Sequence, residues 1–295
     1  MRRKKPLLFF SFILIFFASL SYIDSYFPIE SQEKNPVELE NILQKSSEYC
    51  EKLANSVLDI ICKEKVTEIY SYKRASRSSR STIFKEWDPD DAIRRAQTSK
   101  PKKISQNEYL KEWIYDYQLI RKNNKIKEQR ILIYDNGIET KAKNAQLETS
   151  FRHEYMIHGP LSLLGKQWQH HHDYRIIDKE IVFGKEAIII EAVPMPEFVL
   201  DHVWGRIWVS KDDYSILRIE WDQRSINKLE DVAKDAKVIA ATEYNIEKNG
   251  IRFPSQYTLN ATWTYSQSGN SGKTQIKVIY DDYKFFTVQT DVRLK

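Results

Sequence analysis

The stretch V-W-G-R-I-W-V-S-K-D-D-Y-S-I-L-R-I-E-W, Val203–Trp221, decides the fold. Two runs rich in β-branched and aromatic residues flank the polar tripeptide Lys211-Asp212-Asp213, the pattern of an antiparallel hairpin. Farther on, K-N-G-I-R-F-P-S-Q-Y-T-L, Lys248–Leu259, places a tight turn at Asn249-Gly250. T-Q-I-K-V-I-Y-D-D-Y-K-F-F, Thr274–Phe286, continues the strand pattern. A large antiparallel sheet follows, and its apolar face needs a cover.

Upstream, Glu108–Lys122 and Lys125–Asp135 form a hairpin around Asn123-Asn124. Trp113, Tyr115, Tyr117 and Leu119 alternate with Ile114, Asp116, Gln118 and Ile120, and Tyr134-Asp135-Asn136-Gly137 ends the pair. Lys141–Gln169 shows no strand alternation, but Pro160 starts a short helix there. Strands are expected at Tyr174–Ile177, Ile181–Val182, Ala187–Val193, His202–Val209 and Tyr214–Trp221. Ser225–Lys237 is a polar connector with modest helical character. Val238–Glu247 pairs with Ile251–Tyr265, and Thr274–Asp282 and Lys284–Val292 complete the sheet, giving about eleven strands, mostly a meander.

The candidate cover is N-terminal. Asn35-Pro36-Val37-Glu38 is a helix start, with Asn as cap and Pro at the first helical position. Leu39, Ile42, Leu43, Tyr49, Cys50, Leu53, Ala54, Val57 and Leu58 then recur at helical spacing, opposite Glu40, Gln44, Lys45, Glu48, Glu51 and Lys52. Leu39, Ile42, Leu43, Leu53 and Val57 are the candidate lid residues. From Ile61 to Tyr72 the period falls to two, with Glu64 and Glu68 on the face of Cys62, Val66, Tyr70 and Tyr72. Lys73–Asn107, rich in Arg, Ser and Lys, reads as a mobile insertion with a short helix at Pro89–Gln97.

Met1–Ile23 joins a basic start, Arg2-Arg3-Lys4-Lys5, to a nearly unbroken apolar run. It is read as a signal peptide or an uncleaved N-terminal anchor. Residues 24–34 form a polar spacer and 35–295 a single domain. The chain carries 46 basic and 41 acidic residues, net +5. The leader holds four of those basic residues and none of the acidic ones, so the rest is nearly neutral. Nucleic acid is therefore not an expected partner. Export points to the periplasm or cell envelope. Cys50 and Cys62, the only two cysteines, are then a candidate disulfide. In one continuous helix their Cα atoms would be roughly 18 Å apart, too far to bond. A chain that doubles back could join them; two buried free thiols are the other reading.

No catalytic constellation stands out. His170-His171-His172-Asp173 lacks zinc-ligand spacing, and its adjacent histidines cannot all face one ion from a strand. There is no G-x-S-x-G and no nucleotide-binding signature. Asp212-Asp213 and Asp281-Asp282 read as turn or strand-end carboxylates. Neither catalysis, metal nor cofactor is expected. An enzyme using His153, Glu154 and His170–His172 is the outlying alternative.

Gly205–Trp221, Asn249–Ser255 and Thr274–Phe286 resemble the corresponding strands of periplasmic lipoprotein carriers of the LolA superfamily. Element order agrees over about Glu38–Phe286. The resemblance implies an α+β, mainly β fold: an unclosed antiparallel barrel with helices covering its concave face. It implies a cavity for lipid or lipoprotein acyl chains, with inner- or outer-membrane proteins as further partners and a monomeric chain. It also implies a gating arginine, for which Arg130 and Arg206 are the in-strand candidates. Alternation selects Trp113, Tyr115, Tyr117, Leu119, Leu132, Tyr134, Ile189, Ile207 and Ile219 as cavity lining; a one-residue slip would put any set on the wrong face. The alternative is a non-catalytic structural or sensor module with a filled core. The long basic insertion and the cysteine pair depart from the carrier pattern.

Overall fold

The computed structural model describes residues 36–56, 60–73, 101–105, 107–122, 125–151, 156–199, 203–229, 236–264 and 270–286. Apart from Pro36, they belong to one compact unit, Val37–Lys295. The elements are α1 (Pro36–Ser56), β1 (Ile60–Lys73), β2 (Lys102–Lys103), β3 (Glu108–Lys122), β4 (Lys125–Asp135) and β5 (Ile138–Lys143). Next come α2 (Gly159–Leu164), α3 (Lys166–Gln169), β6 (His172–Val182), β7 (Lys185–Pro194), β8 (Gly205–Ser210), β9 (Ile216–Trp221) and α4 (Gln223–Leu229). The chain closes with β10 (Lys237–Glu243), β11 (Ile246–Lys248), β12 (Ile251–Phe253), β13 (Gln256–Thr264) and β14 (Ser271–Phe285).

One antiparallel sheet takes nearly all the strands, in the order β5-β4-β3-β1-β14-β13-β10-β9-β8-β7-β6, with β2 beside β3. Edge strands β5 and β6 do not pair, so the barrel is unclosed, as expected. The sheet joins two meanders where β1 meets β14, over thirteen paired positions from Ile60↔Phe285 to Lys73↔Ser271. This long-range pairing brings the first and last strands to the centre of the sheet. The β11–β12 ribbon around Asn249-Gly250 stands apart from it.

Cross-strand partners share a face, so rows can be followed across the sheet. One runs Asp135, Trp113, Val66, Val278, Tyr257, Thr242, Ile219, Ile207, Ile190. It lies on the inner face, which carries two apolar clusters. The first contains Trp113, Tyr115, Tyr117, Leu119, Val66, Leu259 and Val278 with Leu53 of α1. The second sets Ile42, Tyr49 and Cys50 of α1 and Leu163 and Leu164 of α2 against Ile188, Ile190, Ile207 and Ile219. The outer face has a smaller cluster, Ala187, Ile189, Trp208 and Leu217.

Three expectations are corrected. Thr274–Asp282 and Lys284–Val292 are not two strands: β14 runs unbroken to Phe285, and residues 287–295 lie outside the described ones. Asp282 has φ +55°, where the register shifts opposite Ile61/Lys63, so Asp281-Asp282 forms a bulge within β14 rather than a turn or strand end. Tyr174–Val182 is one strand, bulged between Ile176 and Asp178. Lys141–Lys143 belongs to β5, whose six residues are all exposed, so no alternation could reveal it. The expected helix at Pro89–Gln97 lies outside the described residues; of the insertion, β2 is described and pairs with Tyr109 and Leu110.

Candidate functional site

The inner face is the candidate site: helices roof it, and the β11–β12 ribbon adds Ile251 and Phe253 to its first cluster. α1 presents Ile42, Tyr49, Cys50 and Leu53, all nearly inaccessible, while Leu39 and Leu43 pack partly buried at its start. Val57 lies outside the described residues. Gly159 begins α2 because a side chain there would meet the Tyr244 hydroxyl at 2.7 Å and the Trp221 ring at 3.0 Å. Polar contacts tie the helices to each other and to the sheet, among them the Lys179–Glu38 pair and the Tyr174 hydroxyl donating to the Leu163 carbonyl. Cys50 Sγ donates to the Pro160 carbonyl over 3.5 Å, and Gln169 Nε2 donates to the Leu43 carbonyl over 2.8 Å. The Arg252 amide donates to the Tyr49 hydroxyl at 2.9 Å. Ser46 is fully buried, yet its hydroxyl finds no hydrogen-bond partner among the described residues.

Beneath this roof the sheet is uneven. The rows of β7–β9 are apolar. Those of β1, β3 and β4 carry buried ionic groups: Glu64, Glu68, Lys111, Glu128, Arg130 and Asp135. Arg130 on β4 reaches over the Tyr117 ring of β3, 5.0 Å from its centre, to Glu64 on β1. Its Nε and Nη2 donate to the two Glu64 oxygens at 2.6 and 3.0 Å, and Nη1 donates to Glu128 at 3.1 Å. The Tyr117 hydroxyl donates to the other Glu128 oxygen at 2.7 Å. Burial works against the Arg130 charge, but Glu64 and Glu128 override it and hold the guanidinium firmly protonated. Burial raises the Glu128 carboxyl despite Arg130 and Tyr117. It also raises Glu68, although that carboxylate accepts from the Ser150 amide and the Thr274 hydroxyl and feels Lys111. The Lys111 ammonium sits 5.7 and 5.5 Å from the Tyr70 and Trp113 ring centres.

Seven of the nine expected lining residues share the inner face: Trp113, Tyr115, Tyr117, Leu119 and Leu132 in the first cluster, Ile207 and Ile219 in the second. Two do not. Ile189 is on the outer face with Trp208, because Ile188 and Ile190 point inward. Tyr134 pairs with Ile114, since a register shift between Leu132 and Tyr134 turns Asp135 inward instead. Arg130 and Arg206 are likewise separated. Arg206 is exposed on the outer face, 3.8 Å from Glu191. Sequence reasoning placed Glu64 and Glu68 on the face of Cys62 and Val66 without assigning them to the site, and missed Lys111, whose signal was its period-two spacing to Trp113 and Tyr115 on β3.

The cysteines are not joined. Both are buried free thiols, Cys50 in the second cluster and Cys62 in the first. Burial pushes the Cys50 thiol up to about 12 and raises Cys62 as well. The histidine run diverges: His172 is buried between the Trp168 and Val203 carbonyls, while the His171 ring lies tilted between those of His170 and Phe198. Among the described residues no group of three His, Cys, Asp or Glu is placed to hold a metal; His153 and Glu154 lie outside them. Asp213 is a turn carboxylate, accepting from Lys185 at 2.7 Å and from Ser215. Asp281 and Asp282 pair with Lys65 and Lys63 of β1.

No family model and no curated protein matches the chain. Among solved structures it is similar to a domain assigned to outer membrane lipoprotein sorting from Vibrio parahaemolyticus, at 11% identity and TM-score 0.37, covering 85% of this chain and 95% of that one. A LolA superfamily protein from Nitrosomonas europaea follows at 10% identity and TM-score 0.33, covering 86% and 97%. The MucA/MucB complex of Pseudomonas aeruginosa matches at 7% identity and TM-score 0.21, covering 82% and 99%. At such TM-scores the likenesses decide nothing further about this chain, whose fold is given by its own strand order.

Proposed function

We propose that this chain is an exported carrier that holds a lipid or lipoprotein acyl chain between the inner face of its half-barrel and the helices lying across it. The observation that carries this reading is the roof of helices over an apolar row. Ile190, Ile207 and Ile219 are covered by α1 and α2, and α1 also buries the Ser46 hydroxyl, which has no hydrogen-bond partner among the described residues. A hydroxyl buried without a partner costs about 1–3 kcal/mol. The docked helix is therefore less stable than its apolar contacts alone would make it, and an acyl chain supplying the same contacts can compete for the row. The chain meets its cargo in the periplasm or cell envelope and acts without catalysis.

The second reading is a non-catalytic envelope module that binds a protein partner. It is favoured by the filling of the inner face, where Tyr115, Tyr117, Leu163 and Leu164 are fully buried. Native mass spectrometry of the purified exported protein, with lipid extraction, separates the two. Co-purified lipid, or saturable binding of a fluorescent fatty acid, supports the carrier. A lipid-free protein that also fails to bind the probe overturns it and leaves the partner-binding module.

A further inference from the structure

Three of the seven exposed large apolar side chains among the described residues lie at one end of the half-barrel. Ile181 is 73% exposed and Phe183 42%, at the tip of the β6–β7 hairpin. Val37, 69% exposed, stands at the start of α1. The two places adjoin, because Lys179 Nζ lies 3.1 Å from Glu38 Oε1. Asn41 of the next α1 turn donates to the Tyr214 hydroxyl beside the β8–β9 turn, at 3.4 Å. The hairpin tip, that turn and the first turn of α1 therefore form one rim, where the helical roof begins.

The charge on this rim is largely compensated. Lys179 pairs with Glu38, Lys185 with Asp213 and Lys211 with Glu186, at 3.1, 2.7 and 2.8 Å. The lysines are not left free to bind an acidic surface, and what remains on offer is apolar. The chain also enters α1 here. An apolar run at Met1–Ile23 is joined to the rim by Asp24–Asn35, a stretch that reaches at most roughly 40 Å even when fully extended.

We propose that the rim of Val37, Ile181 and Phe183 is the surface on which this protein rests against a lipid bilayer. The occupant is the interfacial layer of the membrane. Phe183 is suited to it because Phe183-Gly184 is a tight turn, with φ +51° and +76°, that projects its side chain beyond the last strand pair. Aromatic and aliphatic side chains at such a tip enter the headgroup boundary without unpairing any strand. The proposal extends the carrier reading, since it places the start of the α1 roof at the lipid surface, but it stands on separate observations.

The test uses the full chain in phosphatidylcholine vesicles, with bimane attached at Phe183→Cys, at Ile181→Cys, or at Ile239→Cys as control. Ile239 is 70% exposed on β10, away from the rim. Brominated lipid is expected to quench the probe at 181 and 183 at least threefold more than at 239, with little change in high salt. Equal quenching at the three sites overturns the proposal. So does shielding at 183 that grows with protein concentration in the absence of lipid, which would make the rim a contact between copies. The readout is independent of cargo. Fatty-acid binding without quenching at 183 sinks the rim and spares the carrier; quenching without fatty-acid binding does the reverse.

Discussion

Arg130 grips Glu64 with two hydrogen bonds across an intervening strand, and both side chains are buried, 7% and 0% exposed. Glu128 shares the same guanidinium. Two carboxylates thus depend on one cation inside an aromatic cluster. Removing the cation takes the same positive charge from both, whereas removing one carboxylate leaves Arg130 with the other. Arg130→Met is expected to destabilise the protein by about 3–5 kcal/mol, the usual effect of breaking a buried pair. Glu128→Gln should cost clearly less, because Gln can still accept from Tyr117 or Arg130. Urea unfolding followed by tryptophan fluorescence measures both. Equal losses would show that Arg130 and Glu128 contribute alike.

The same carboxylates set a pH dependence. Burial raises Glu68 and Glu128 above their ordinary 4.5, so the folded protein binds their protons more tightly than the unfolded chain does. Stability from these groups is present below 4.5 and is lost as pH rises through their folded values. Asp213 acts oppositely: it is part-buried, but donors from Lys185 and Ser215 hold it low, and its contribution is lost only in strong acid. The unfolding midpoint should therefore rise as pH falls towards 4.5, then drop in stronger acid. Glu68→Gln should flatten the upper limb. A midpoint that falls steadily from pH 7 downward would contradict the raised values.

Much of this was legible in the sequence. The hairpin Glu108–Asp135 and the helix from Pro36 were readable because side-chain period and turn residues agree over many residues. The union of β1 with β14 was not, because nothing local records which distant strands pair. Face assignment failed at Tyr134, where a bulge adds a residue, and at Ile189, where Ala187–Ile190 is apolar on both faces. Continuous apolar runs carry no period to read. The inner-face charges were visible in Glu64 and Glu68 but looked like imperfections of a strand. Only the position of Arg130, one strand beyond β3, makes them a network.

The cysteines offer a direct check on the packing. Cys50 lies under α2 and Cys62 under the first cluster, and thiolate formation is suppressed at both. Iodoacetamide at pH 8 should leave the native protein unmodified and add two adducts in denaturant, by intact mass. Protein refolded under oxidising conditions should give the same result. A disulfide found in the native protein would contradict this arrangement of α1 and β1.

Ser46 tests whether the roof is poised to lift. Ser46→Ala removes the buried hydroxyl and adds helix propensity, so α1 should dock more firmly by about 1–2 kcal/mol. Its amides should exchange with deuterium more slowly, and thermal unfolding should move upward. If the row under α1 takes an acyl chain, the variant should bind a fluorescent fatty acid more weakly, because docking and binding compete for the same row. Gly159→Ala provides the opposing case: its methyl would strike Tyr244 and Trp221 and lift α2 at a cost of about 1–3 kcal/mol. A more stable Ser46→Ala protein with unchanged fatty-acid affinity would mean that α1 stays docked while cargo is held, and that binding occurs elsewhere on the inner face.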